Sequence, residues 1–246
     1  TVSHITLLGR EIDIWQGLFY LLILVLGLII LLTFSEYGIT SDESAHVEYG
    51  EAILRWYGSL FQDRSVFESK NTWLHGGGFN TVSHLINRVS PLGIYETRHL
   101  CNALLGLLGV VAAYRLGCLL GGSATGCLAA LFLVLTPRYY GHAFNNPKDI
   151  PFAVFYLWSV YFIIRGVGVL PRLPGSWIWK TGLSIGLALS ARAGGLVLVG
   201  YLGLFYGVRY VHLGIQQRGR DGRAGTLTRV RPFAWQMVSI LAVSYG

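Results

Sequence analysis

Asp42 and Glu43 stand side by side within Ile39 to Glu51, and a third acid, Asp149, closes the run Asn146-Pro147-Lys148-Asp149. The basic side chains expected on the same side of the molecule are Arg98, Arg138, Lys148 and Arg192, with His46, His99 and His142 among them. Carboxylates beside guanidinium and ammonium groups suit one kind of reaction: a base takes a proton from an alcohol or amine while cations hold a phosphate leaving group. Arg presents a planar fork to phosphate oxygens and Lys a point charge. Carboxylates are scarce here, 12 in 246 residues, and eight of them fall between Glu36 and Glu96. That clustering asks for a reason beyond solubility.

The elements that must carry these residues are apolar. Hydrophobic residues make up 53% of the chain and charged ones 13%, about half the usual charged share, so a water-soluble domain would lack polar cover. An integral membrane protein is expected, and lipid phosphate is then the natural source of the leaving group. The net charge of +7 does not point to nucleic acid. Six of the 19 basic residues lie between Arg209 and Arg231, beside apolar runs, which fits a retained cytoplasmic loop near anionic lipid, and neither a recognition helix nor an aromatic stacking platform accompanies them. Cys101, Cys118 and Cys127 form no C-x-x-C pair, so neither a zinc site nor a disulfide framework is indicated.

Taken in order, Ile14 to Phe34 is long enough to cross a hydrocarbon core of about 30 Å. Its length, weak basic start and lack of an A-x-A site favour an uncleaved span over a signal peptide. Thr40 or Ser41 is placed to cap a helix in which Ala45, Tyr49, Ala52, Ile53 and Trp56 share one face and His46, Glu48, Glu51 and Arg55 the other. His46 reads as a solvated surface histidine. His75-Gly76-Gly77-Gly78 lacks any accompanying G-x-S-x-G elbow and reads as a flexible loop tip. Leu100 to Leu120 is a second span, Gly121-Gly122 a tight turn. The segments from Ser123 to Thr136 and from Phe152 to Ile164 are each too short to cross alone, so Pro137 to Pro151 must help to span or lie sunk in the membrane beside a wet cavity. Trp177 to Val208 is expected to turn at Arg192, because only then does the basic loop after Arg209 join Arg115, Arg165, Arg172 and Lys180 on one side. Gly182/Gly186 and Gly122/Gly126 are read as helix-packing positions.

The expected fold is therefore an all-α, polytopic transmembrane helical bundle forming a single domain over 1–246, with spans near 14–34, 100–120, 123–140, 150–167, 177–191, 194–210 and 233–246. Amphipathic juxtamembrane helices fill an extracytoplasmic loop over 36–98. Because the chain starts at Thr1 and stops at Gly246 inside an apolar stretch, a longer parent protein with further C-terminal sequence is expected.

An apolar first span followed by Asp42-Glu43 and an amphipathic helix, Arg98 opening the second span, Thr136-Pro137-Arg138 ending the third, and Asn146-Pro147-Lys148-Asp149 after it together resemble the GT-C glycosyltransferases. The closest branch is that of the dolichyl-phosphate-mannose protein mannosyltransferases and the bacterial aminoarabinose transferases. Order and spacing carry the likeness more than any single motif. The resemblance implies an inverting sugar transfer from a polyprenyl-phosphate-linked donor to a lipid, glycan or protein acceptor, on the periplasmic or luminal side of a membrane such as the bacterial inner membrane. It implies catalytic roles for Asp42 as general base, Glu43 in placing the acceptor and Asp149 in lining the same cavity, with Arg98, Arg138, Lys148 and Arg192 as donor-phosphate ligands. Asn71 to Asn80 departs from relatives that carry a His-Pro-Pro-type stretch, which leaves the acceptor open. Phosphate-linked donors in the family generally need no metal, whereas pyrophosphate-linked ones recruit a divalent ion, so no cofactor and no metal ligand are assigned. Two other classes remain: a secondary transporter, suggested by broken spans around Pro147 and Gly194, and a lipid-binding scaffold.

Overall fold

The computed structural model describes residues 4–7, 10–68, 75–218 and 227–245. Trp73 and the tract around Arg220 and Arg223 lie outside them. After a short antiparallel hairpin, β1 (His4–Leu7) and β2 (Arg10–Asp13), the described chain is a helical bundle. Its helices are α1 (Ile14–Thr33), α2 (Glu43–Gly58), α3 (Gly78–Asn87), α4 (Ile94–Leu135), α5 (Pro137–Asn145), α6 (Asp149–Val169), α7 (Gly175–Ala191), α8 (Leu196–Arg218) and α9 (Leu227–Tyr245). Four of them, α1, α4, α6 and the one containing α8, are long and apolar enough to cross a membrane. The expected polytopic helical bundle is thus present.

Helix α1 starts where the Asp13 carboxylate accepts from the Gln16 N–H at 2.9 Å, filling one of the orphan donors of a helix start. Its outward positions, among them Leu21, Leu24, Leu28 and Leu31, are exposed, as an apolar band against lipid must be. Inward, Phe19 stacks on Tyr114 with ring centroids 3.6 Å apart, and Ile30 packs with Ala103 and Phe144. Early residues of α1 thus meet the far part of α4's first arm, over 94–120, and later ones its beginning, so α1 runs antiparallel to that arm.

The 42 residues of α4 would reach about 63 Å as one straight rod, twice a hydrocarbon core. They fold instead into two antiparallel arms, because the backbone leaves helical geometry at Gly121 and at Gly122, where φ is +82°. Only glycine takes that φ at little cost. A Cβ on Gly117 would lie 2.7 Å from the Cα of Gly126, so the arms touch backbone to backbone. Of the Gly122/Gly126 pair expected to pack, only Gly126 does; Gly122 has open space around it and serves the turn.

The second arm ends at Leu135, where Thr136 adopts extended backbone ahead of Pro137, as a residue before proline prefers. Helix α5 then continues the same crossing. The Tyr139 hydroxyl donates to the Gly106 carbonyl at 2.6 Å, and further along Asn102 Nδ2 donates to the carbonyls of His142 and Asn146, both at 3.2 Å. Pro137 to Asn145 therefore completes the short third segment.

Helices α6 to α9 form the other half around Ile163, Ile185, Ala188, Leu198, Leu202, Tyr206 and Ile240. Arg192 takes extended backbone between α7 and a 3-10 turn at Ala193–Gly195. The chain reverses there: Arg192 lies beside Asp149 at the start of α6, whereas Tyr206 packs at Gly166 near its end. Gly182 and Gly186 let α9 approach α7, since a Cβ on either would fall within 2.6 Å of Val243 or Ser244. One end of the bundle carries α2, α3 and the residues near 98, 146 and 192; the other carries Arg115, Arg165, Arg172 and Lys180.

Replacing Gly117 by Ala forces the arms of α4 apart and lowers stability by about 1–3 kcal/mol, as overpacking does. Gly27→Ala, at a mid-helix position with nothing within 4 Å, raises it by up to about 1 kcal/mol through helix propensity. Thermal unfolding in detergent, followed by intrinsic fluorescence, separates the two.

Candidate functional site

Helix α2 lies across the end of the bundle, and its start is fixed by the side chain of Glu43. That carboxylate accepts from the Thr40 N–H at 2.6 Å, from the Thr40 hydroxyl at 3.1 Å and from His99 Nε2 of α4 at 2.8 Å. Neither Thr40 nor Ser41 caps the helix; the N-cap position belongs to Asp42, without a side-chain cap bond. The Glu43 carboxylate is 2% exposed. Burial opposes its ionisation, but the donors from His99 and Thr40 outweigh burial and hold its carboxyl below the ordinary glutamate range. An ionised carboxylate only accepts, so His99 Nε2 carries the proton between them.

This orientation turns the helix differently from its expected apolar face. Glu43, His46, Tyr49, Gly50, Ala52 and Ile53 are buried, and Ala45 is only half-buried. His46 is 1% exposed, not a solvated surface group. Its Nδ1 lies 3.2 Å from Asn80 Nδ2 of α3. Asn80 Oδ1 in turn accepts from Arg98 Nη2 at 2.6 Å, and Arg98 Nη1 donates to the Ser83 hydroxyl at 3.0 Å. Arg98 is 2% exposed, with Phe79 5.8 Å from its guanidinium carbon. It holds α3 to α4 from a buried position, with the guanidinium engaged by Asn80 and Ser83.

One residue before Glu43, Asp42 points the other way. Its Oδ2 lies 3.3 Å from Lys148 Nζ and 3.9 Å from His46 Nε2, and its Oδ1 lies 3.2 Å from the Thr40 hydroxyl, whose one proton it shares with Glu43. Its side chain is 54% exposed. Partial burial pushes its carboxyl up, but the hydrogen bond and charge of Lys148, with His46 nearby, win and hold it below the usual aspartate range. Next along the chain, Asp149 Oδ1 sits 2.9 Å from Arg192 Nη1. Asn146 organises the turn before α6: its Oδ1 accepts from the N–H groups of Lys148 and Asp149 at 3.2 and 2.9 Å, and its Nδ2 donates to Asp149 Oδ2 at 3.1 Å. Two acids and two cations from three chain segments thus meet at one end of the bundle, all partly open to solvent.

Arg138 does not join them. It is exposed at the first turn of α5, the end at which Tyr139 reaches Gly106, and about 12 Å of helical rise separates it from Asn146. Among the described residues it forms no ion pair. No group of three or more His, Cys, Asp or Glu able to hold a metal occurs among the described residues.

Behind the cluster lies an apolar cavity of about 880 Å³ between α2, α3, α4, α6 and α7. Tyr49, Trp56, Phe79, Leu104, Phe155 and Leu187 contribute to its walls, and Pro151, Ser190 and Ala191 bring them up to the Asp149–Arg192 pair. The triple glycine forms part of this wall and is no free loop tip. Cβ atoms on Gly76 and Gly78 would collide with Ser190, and one on Gly77 with Ile53, while the Tyr49 hydroxyl donates to the His75 carbonyl at 3.2 Å. Sequence reasoning missed Asn80, Ser83 and this wedge. The one available signal was three consecutive glycines, which permit close backbone approach as readily as flexibility.

Glu43→Ala leaves His99 and the Thr40 amide without their buried partner and costs about 3 kcal/mol, a fall of about 6–12 °C in melting temperature for a chain of this size. Because the Glu43 pKa is depressed on folding, its contribution is full above the unfolded value, about 4.3, and fades as pH falls through the folded one. Glu43→Gln flattens that acid dependence of the melting temperature.

Residues 93–208 match the family model described as dolichyl-phosphate-mannose-protein mannosyltransferase. Among curated proteins and among solved structures, none matches. The matched segment runs from the start of α4 through most of α8 and contains Lys148, Asp149 and Arg192; Asp42 and Glu43 lie before it. Over that segment, a little under half of the chain, the sequence is similar to this mannosyltransferase family, and the membrane-crossing helices agree with a membrane glycosyltransferase.

Proposed function

We propose that the protein transfers a sugar, with inversion, from a polyprenyl-phosphate donor to an acceptor hydroxyl or phosphate, with Asp42 as general base. The observation that carries this reading is that the Asp42–Lys148 and Asp149–Arg192 pairs gather at one end of the bundle, where Pro151 and Ala191, close in sequence to Asp149 and Arg192, line a large apolar cavity. A polyprenyl phosphate has just that division: a long hydrocarbon chain and one anionic head. The cavity takes the first isoprene units, and the head lies among Lys148 and Arg192.

Chemistry then follows from charge. The acceptor oxygen attacks C1 of the sugar from the side opposite the phosphate, the C1–O bond to phosphate breaks, and the acceptor proton passes to Asp42. The departing phosphate gains negative charge, which Lys148 and Arg192 offset as preorganised cations. Both are already partly open to solvent and paired only with partly exposed acids, so exchanging a carboxylate for a phosphate costs little desolvation. Asp149 keeps Arg192 extended towards the cavity edge. Glu43, closed off by His99, holds the start of α2 and does not touch the acceptor. The end of the bundle with Asp42 faces away from the cytoplasm, since Arg115, Arg165, Arg172 and Lys180 gather at the other end and positive charge is retained inside.

Asp42→Asn keeps shape and removes the base, so turnover of polyprenyl-phosphate-mannose falls by about 100-fold or more; unchanged turnover in a folded variant contradicts the role. The lowered Asp42 pKa keeps the base ionised down to below the ordinary aspartate value of about 3.9. Lys148→Ala removes the main cause of that lowering, so the acid limb of turnover moves to higher pH while the maximal rate also drops. A Lys148→Ala profile that keeps its wild-type acid limb separates Lys148 from the base.

A further inference from the structure

The buried chain Arg98–Asn80–His46 ends beside Asp42, and its hydrogen-bond directions can be assigned from chemistry alone. Arg98 has only donors. The 2.6 Å contact of its Nη2 with Asn80 therefore requires the Asn80 oxygen on that side, which turns the Asn80 amide nitrogen, a donor, towards His46 Nδ1 at 3.2 Å. His46 Nδ1 must then accept. A neutral imidazole that accepts at Nδ1 carries its proton at Nε2, and Nε2 is the atom facing Asp42 Oδ2 at 3.9 Å.

The imidazole is neutral. Burial, then the charge of Lys148, push its pKa down to about 4 against the pull of Asp42, with Arg98 and His75 adding to the downward push. Those four groups, Asp42 on its own helix, Lys148 before α6, Arg98 on α4 and His75 before α3, are the charged or titratable residues that act on it. A neutral Nε2–H dipole is a steadier neighbour for a base than an imidazolium, because it does not change as the base takes up a proton.

We propose that Arg98 and Asn80 are positioning residues that act through His46, holding it in the single tautomer whose Nε2–H points at the Asp42 carboxylate. This rests on Asp42 being the base, and it gives a buried guanidinium a task other than binding donor phosphate. The arrangement stabilises the ionised form of Asp42 from below while Lys148 does so from the open side. When the donor phosphate draws Lys148 away, the imidazole dipole stays, so the carboxylate keeps a favourably oriented dipole 3.9 Å away as it accepts the proton. The Asn80 side chain is the selector: an acceptor in place of its amide nitrogen reverses the His46 tautomer and turns a lone pair towards Asp42.

Two measurements on the full chain in detergent test this. Nitrogen-15 spectra of histidine-labelled protein at pH 7, with His46 assigned by its loss in His46→Gln, should show His46 neutral and protonated at Nε2. Proton occupancy at Nδ1 overturns the proposal whatever the activity data say. Second, turnover of polyprenyl-phosphate-mannose is followed at pH 7, well above the His46 pKa of about 4, where the imidazole is neutral. His46→Leu should lower the maximal rate by about 10-fold and leave KM unchanged. His46→Gln, which offers an oxygen to Asn80 and an N–H towards Asp42, should restore the rate. A purely structural role for His46 predicts a lower melting temperature with the rate per folded molecule unmoved, and failure of Gln to restore the rate also contradicts the proposal. Full turnover in Asp42→Asn would instead remove the general-base reading, leaving the spectroscopic assignment standing on its own.

Discussion

The structure depends on ionised and polar side chains buried between a surface helix and a membrane-type bundle. Glu43 and Arg98 are both nearly inaccessible, and taking either charge out of water costs several kcal/mol unless every strong hydrogen-bonding site is met. Glu43 is satisfied by Thr40 and His99, and two of the three Arg98 nitrogens by Ser83 and Asn80. These bonds join α2, α3 and α4. Register matters here in a way that hydrophobic packing alone could not enforce, because a slip of one residue in α2 would strand a carboxylate.

From that seam the rest of the site follows. Fixing Glu43 inward leaves Asp42 outward, because consecutive helical residues point about 100° apart. The outward acid meets Lys148, which Asn146 delivers by capping the turn before α6. Asp149 on the same turn then reaches Arg192, where α7 has just ended. Buried polar bonds supply rigidity, and exposed ion pairs supply groups that can be exchanged for a ligand at small cost. The cavity beside them is apolar because its walls are the inner faces of amphipathic and membrane-type helices. A rigid floor, exchangeable charges and a greasy hollow suit a lipid-phosphate substrate.

Much of this was legible in the sequence, and the limits are instructive. Apolar runs of adequate length predict the long helices, paired glycines at 121 and 122 the hairpin within α4, and charge counting the reversal at Arg192. The short segment after Ser123 announces that Pro137 to Asn145 must complete a crossing. Composition around Asp42 also signals a polar site. What local pattern could not give was which face of α2 is buried. His46 and Glu43 look like solvent-facing residues by hydropathy, and only partners 34 and 56 residues away, Asn80 and His99, make their burial tolerable. Arg98 and Arg138 both look like phosphate ligands at helix ends, but one is enclosed by α3 and the other lies a helix length below the cluster. The triple glycine reads as freedom in a sequence and as contact in the fold.

The central claim is that a lipid phosphate lies at the Lys148–Arg192 edge of the cavity with its sugar against Asp42. The most direct measurement is a density map of the full chain with bound polyprenyl-phosphate-mannose. The account predicts phosphate oxygens within about 3 Å of Lys148 or Arg192, the sugar beside Asp42 and the isoprene chain passing between Tyr49 and Leu104. A phosphate seated instead at the other end of the bundle, near Arg165 and Lys180, would contradict it.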